Sequence, residues 1–190
     1  MKELRSAIGR LLAEKGRCVL VIEGPCASGK TTLAARLAAL FGGELIHGDD
    51  FFLRSEQRTP QRLAEVGGNF DRERFAAEVV APLADGASFS YRPYRCSTGT
   101  FGEAVKIEGR GLVVVEGSYT LHPDLGHYYD LALFLCVSPE EQRKRLRKRS
   151  PELLSRFETE WIPKENAYAK KFSIRERCHF AWESESLLWE

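Results

Sequence analysis

The chain has almost no net charge: 28 lysines and arginines stand against 27 aspartates and glutamates, which leaves +1 at pH 7. That balance gives no general electrostatic case for a nucleic acid or an anionic membrane as partner. A C-x-x-C pair is also missing. The five cysteines, Cys18, Cys26, Cys96, Cys136 and Cys178, are odd in number, and two lie in apolar runs where a reduced thiol packs as a small hydrophobe. This argues against metal or redox roles and makes a reducing cytoplasm the simplest compartment. His122, His127 and His179 do not cluster with cysteines at metal-ligand spacings. The opening stretch MKELRSAIGRLLAEKGR is too charged, and too short in apolar run, for a signal peptide or a membrane span. Repeats, low-complexity tracts and linkers are absent, so the 190 residues are expected to form one domain, 1–190.

What is present is an alternation of two patterns. CVLVIE (18–23), LVVVE (112–116) and LALFLCV (131–137) are continuous apolar runs, as expected for strands buried on both faces of a parallel sheet, and ELIH (44–47) is a shorter one. Between them, KTTLAARLAALF (30–41), DRERFAAEVVAPL (71–83) and SPEEQRKRLRKR (138–149) read as helices. Asp71 is an N-cap candidate, and Ser138 with Pro139 and Glu141 makes a capping-box pattern. Leu4, Ile8, Leu11 and Leu12 predict an amphipathic helix at the start. The alternation predicts an α/β fold with a parallel sheet flanked by helices. Residues 88–110 break the rhythm with aromatics, glycine and proline, and are expected to form a β-hairpin-like insertion.

GPCASGKT, Gly24 to Thr31, satisfies G-x-x-x-x-G-K-[ST], with an apolar strand before it and a helix after it. In that context the glycines let the backbone curl so that successive N–H groups face one phosphate, and the helix adds its positive end. Gly24, Ala27, Ser28, Gly29, Lys30, Thr31 and Thr32 are therefore candidate nucleotide-binding residues. Lys30 is placed to reach the terminal phosphates, and the Thr31 hydroxyl to ligate Mg²⁺. An N-K-x-D guanine motif is missing, and VVVEGSY ends in Glu116–Gly117 rather than Asp-Glu. Length and residues fit a small-molecule kinase of P-loop NTPase fold, with ATP and Mg²⁺ as cofactors. Glu116, at a strand end, either supports Mg²⁺ through water or caps the following turn.

IHGDDFFL (46–53) places Asp49 and Asp50 just past a strand end, beside the phosphate loop. On an extended backbone the two side chains point to opposite sides. One of them is then expected to face the acceptor hydroxyl, the other a cap or metal-bound water.

Taken in order, GPCASGKTT, HGDDFF, GGNFDRERF and VVVEGSYTL resemble the uridine kinase group of P-loop kinases, related to nicotinamide riboside kinase and phosphoribulokinase. The resemblance spans roughly residues 18–172. It implies that Asp49 is the general base for the acceptor hydroxyl and that Asp71 grips a ribose, a role the N-cap reading rivals. It implies a lid over about 143–152, whose Arg147 or Arg149 stabilises the transferring phosphate; a solvated helix explains RKRLRKR equally. It also puts Tyr91 and Arg95 on the substrate side, with Tyr91 free to stack on a base. Cys96 departs from the pattern, standing where a uracil-reading histidine is expected, and a thiol is a poor donor. His47 is read as a packed strand-end residue, and Trp161 and Tyr168 as core. The expected partners are ATP and a small-molecule acceptor, with neither nucleic acid nor membrane. The first acceptor is the 5′-OH of a nucleoside such as uridine or cytidine. The alternatives are nicotinamide riboside, a pantothenate-like alcohol, a sugar, or a nucleotide-binding regulator without catalysis.

Overall fold

Five strands lie side by side in the order β2-β7-β1-β8-β9, every pair parallel, in the computed structural model, which describes residues 1–184. In chain order the elements are α1 (Lys2–Lys15), β1 (Arg17–Glu23), α2 (Lys30–Phe41), β2 (Glu44–His47), α3 (Pro60–Ala64), α4 (Arg72–Phe75), α5 (Ala81–Asp85) and β3 (Phe89–Tyr91). There follow β4 (Tyr94–Arg95), β5 (Thr100–Phe101), β6 (Val105–Ile107), β7 (Gly111–Glu116), β8 (Leu131–Cys136), α6 (Pro139–Arg149), α7 (Leu154–Arg156), α8 (Ile162–Lys171), α9 (Ile174–Arg177) and β9 (Phe180–Glu183). The four apolar runs became strands where expected. β9 was not anticipated, because FAWE alternates partly buried and exposed residues at the sheet edge instead of forming an apolar run.

Both faces of the sheet are covered, which is why β1, β7 and β8 carry unbroken hydrophobics. On one side Leu4 and Ile8 of α1 and Leu33, Ala34 and Leu37 of α2 pack on Leu20, Ile22, Val114 and Leu133. On the other, Val19, Val21, Val113 and Val115 meet Phe75, Val79, Leu83, Tyr168 and Ile174. α1 stops at Gly16, which takes φ +68° and returns its N–H to Leu12. Among the described residues no helix is long and apolar enough to cross a membrane.

Two helical stretches widen into a π turn just before a proline. Ala76–Val80 joins α4 to α5 ahead of Pro82, and Phe157–Trp161 joins α7 to α8 ahead of Pro163. Proline brings no N–H and its ring crowds the carbonyl four residues back, so a widened turn lets each helix continue. The insertion is a hairpin broken in two, with β3 paired to β6 and, beyond a kink, β4 paired to β5. The register levels the carboxyl ends of three strands: Ile22 of β1 and His47 of β2 both lie opposite Glu116 of β7. Those three ends deliver the site.

Candidate functional site

The phosphate loop leaves β1 at Gly24, where backbone packs on backbone. A Cβ there would stand 2.3 Å from the Leu135 carbonyl oxygen of β8, and φ is +146°, so only glycine fits. Among the described residues, no acceptor takes the N–H of Ala27 or Gly29, and the buried Ser28 hydroxyl has no partner. These open donors at the head of α2 suit an anion. Lys30 is buried within the loop and its ammonium donates to the Pro25 carbonyl at 2.9 Å.

Thr31, first-turn residue of α2, donates from its hydroxyl to Glu116 Oε1 at 3.1 Å, and His47 Nδ1 lies 2.7 Å from that same oxygen. The hydrogen bond to Glu116 raises the pKa of His47 despite its partial burial. Among the described residues, no three of His, Cys, Asp and Glu converge as a metal cage. The oxygens of Thr31 and Glu116 fit a hard cation that keeps water and phosphate as its other ligands, as Mg²⁺ does.

The acid pair sits on a 3₁₀ turn, Gly48–Phe51, not on an extended strand, so the two side chains diverge by about a third of a turn rather than alternating. Asp49 opens into the crevice, and its walls raise its pKa by desolvation, against the pull of Lys30. Asp50 instead accepts the Tyr91 hydroxyl at 3.1 Å. This corrects the expectation for Tyr91: its ring is 2% exposed, packed 5.1 Å from Phe51, and has no open face for a base. Arg74 of α4 locks this arrangement. Its guanidinium lies 4.2 Å from the Phe51 ring and donates to the carbonyls of Asp50 (2.7 Å) and Arg92 (3.1 Å), tying the hairpin to the acid turn.

Asp71 is 1% exposed, and the protein uses both its oxygens. Oδ1 caps α4 by accepting Arg74 N–H at 3.1 Å, and Oδ2 accepts the Gln57 amide at 2.9 Å. The N-cap reading therefore describes this structure, and ribose gripping would require Gln57 to leave. Asp71→Ala is expected to cost about 1–2 kcal/mol in a urea titration. Unchanged stability with a loss confined to acceptor affinity would restore the ribose role.

Arg95 and Cys96 are exposed on the hairpin. Burial raises the pKa of the Cys96 thiol, with Arg58 opposing and Asp49 adding to the shift. Tyr168 is core, as expected, while Trp161 is half-buried against Phe157 at 4.5 Å.

On α6, Ser138 caps as predicted, accepting Glu141 N–H at 3.3 Å. Of the two lid candidates, Arg147 is exposed and makes no described ion pair, and Arg149 lies 5.6 Å over the Phe157 ring and exerts its charge on Cys26 of the phosphate loop. The helix face turned to the phosphate loop carries Gln142, whose amide donates to Cys26 O at 2.8 Å, and Arg145, which donates to Ala27 O at 3.1 Å and Ser28 O at 3.3 Å. Sequence periodicity grouped Arg145 with Arg149 but gave no means of telling which turn of α6 meets the loop.

Two further carboxylates escaped the sequence reading. Glu23 is 1% exposed and accepts the N–H groups of Tyr119 and Leu121, both at 3.0 Å. Glu165 of α8 contacts the phosphate loop itself, at Cys26 N.

Comparison with known proteins gives the fold. No family model matches. The chain is 36% identical over 99 residues to a tRNA dimethylallyltransferase of Sorangium cellulosum (strain So ce56), covering 44% of this chain and 31% of that one. It is 37% identical over 86 residues to the enzyme of the same name from Anaeromyxobacter sp. (strain Fw109-5), covering 37% and 29%. The matches thus span under a third of these curated relatives. Among solved structures, a possible uridine kinase from Bacillus stearothermophilus superposes with a TM-score of 0.67 at 20% identity, over 95% of this chain and 99% of that one. YFH7 from Saccharomyces cerevisiae, described as a candidate P-loop kinase with a circular permutation, gives 0.64 at 12% identity, over 96% and 98%. The chain has the α/β P-loop NTPase fold, a parallel five-stranded sheet flanked by helices.

Proposed function

We propose that this chain is an ATP-dependent small-molecule kinase that transfers the γ-phosphoryl group to a hydroxyl, first of all the 5′-OH of a nucleoside such as uridine or cytidine. The observation that carries the reading is convergence. Lys30, the Thr31–Glu116 pair and the open carboxylate of Asp49 stand together at the carboxyl edge of one sheet, contributed by three neighbouring strands and their loops. Binding alone does not require a free acid at that place. Asp49 accepts the proton of the acceptor hydroxyl, and the loop amides and Lys30 hold the phosphate chain in line with it. Mg²⁺, held through Thr31 and Glu116, supplies neutralisation of phosphate charge when bound. Arg147 or Arg149 of α6 stabilises the transferring phosphate, and the contact of Arg145 with the loop carbonyls supports that end of α6 staying beside the phosphates.

The test is ADP release by purified protein with Mg-ATP against nucleosides, nicotinamide riboside, pantothenate and simple sugars. Release that depends on one acceptor class supports the reading and names the class. ATP binding with no acceptor-dependent release favours a regulator. A second reading, transfer of a dimethylallyl group to tRNA, draws on the two curated matches. It predicts no ADP and a modified tRNA, so tRNA with a dimethylallyl donor completes the panel.

A further inference from the structure

Glu165 lies in the first turn of α8, and its carboxylate is inserted against the phosphate loop. Oε2 accepts the Cys26 N–H at 2.8 Å, and Oε1 lies 3.0 Å from the Ser118 hydroxyl, itself 3.1 Å from the Gly24 carbonyl. An amide of a loop suited to external anions is thus taken by an internal one. The cation of the loop is likewise turned inward, since Lys30 donates to Pro25 O. Beyond burial and Glu116, the charge of Glu165 adds to the raised pKa of Asp49. A phosphate approaching Cys26 meets a like charge at short range, and one N–H cannot serve both.

We propose that Glu165 is an internal competitor for the phosphate loop, holding α8 against it until an incoming polyphosphate displaces the carboxylate. The inference rests on the nucleotide-binding part of the function proposed above. The neighbourhood is built for such a movement. α8 is bounded by the π turn Phe157–Trp161 and by Ser173, a non-glycine residue at φ +49°, so both its ends depart from regular helix. Beneath it lies a cavity of about 200 Å³ lined by Gly24, Pro25, Ser118, Glu165, Tyr168 and Arg175. Arg175 offers a displaced Glu165 a cationic partner in that cavity, for its only described ion pair is a long contact to Glu183 at 3.8 Å.

The experiment titrates wild type, Glu165→Gln and Glu165→Ala with ATP in the absence of Mg²⁺, by calorimetry, with melting temperatures alongside. Glutamine keeps the shape and an acceptor for Cys26 N–H while removing the charge, so it is expected to bind about tenfold more tightly. Alanine is expected to bind at least as tightly as wild type. A mere brace for the loop predicts the reverse, so equal or weaker binding by both variants at unchanged melting temperature overturns the proposal. Amide hydrogen exchange on wild type decides the matter even if the variants fold poorly. ATP is expected to speed exchange across 162–171, and unchanged or slower exchange overturns the proposal. Failure of all three proteins to bind ATP would overturn the nucleotide reading and this inference with it, an outcome distinct from equal binding.

Discussion

Asp49→Asn is expected to lower acceptor-dependent kcat/KM by about 10²- to 10⁴-fold, the range that a positioned general base supplies, while ATP affinity stays within about twofold. Asparagine preserves the volume and one acceptor oxygen but cannot take the hydroxyl proton. The same variant is expected to melt at the wild-type temperature or above. Desolvation raises the pKa of Asp49 above its ordinary value, so a carboxyl in this place favours folding while protonated, and that contribution is lost as pH rises through the raised value. At neutral pH the ionised group therefore costs stability, and the neutral amide removes the cost. An inactive variant that is no less stable separates a chemical role from a structural one. In wild type the activity should fall on the acid side as Asp49 protonates, at a pH above that of an ordinary aspartate. Undiminished transfer by Asp49→Asn on the true acceptor would exclude it as the base.

How much of this site was readable beforehand depended on the range of the cause. The apolar runs of β1, β7 and β8, the loop from Gly24 to Thr31 and the cap at Ser138 follow from neighbours within a few residues, and local chemistry decides them. The Thr31–Glu116 contact, 85 residues apart, was still legible, because a strand end in a parallel sheet faces the phosphate crevice. Asp49 and Asp50 show the limit. Their separation was right in outcome, but the backbone there coils into a 3₁₀ turn, and the partner of Asp50 arrives from Tyr91 on the hairpin. Tyr91 itself looked available because no local signal says which hairpin residues turn inward. Arg145 was hidden among six cations, since only the docking of α6 on the loop selects one face. Glu23 and Glu165 gave no local signal, since apart from the Gly24 N–H beside Glu23 their partners lie from 47 to 145 residues away.

Glu23→Ala is expected to prevent stable folding, and Glu23→Gln to cost about 2–4 kcal/mol. The carboxylate ends β1 immediately before the phosphate loop and gathers the N–H groups of Tyr119 and Leu121 at 3.0 Å, with the hydroxyls of Thr120 at 3.2 Å and Tyr168 at 3.4 Å. One buried group thus fixes the turn after Glu116 and ties it to α8. Alanine leaves those donors in an interior that water does not reach, at about 1–3 kcal/mol each, against a total stability of about 5–15 kcal/mol for a domain. Glutamine keeps one acceptor oxygen but turns an NH₂ toward donors. Burial pushes the pKa of Glu23 up to about 7, overcoming the opposing pull of the Leu121 N–H, Lys30, and the Tyr119 and Gly24 N–H groups. The sign follows: a folded-state pKa raised from 4.5 makes the contribution of this group fullest below about 4.5 and progressively lost as pH rises through about 7. Urea unfolding of wild type and Glu23→Gln at pH 5, 6, 7 and 8 reads this directly, because the other titrating groups cancel in the difference. The advantage of wild type over the glutamine variant should shrink as pH rises across that window. A constant difference would mean that the donors around Glu23 hold it ionised throughout, with hydrogen bonding winning over desolvation at the root of the phosphate loop.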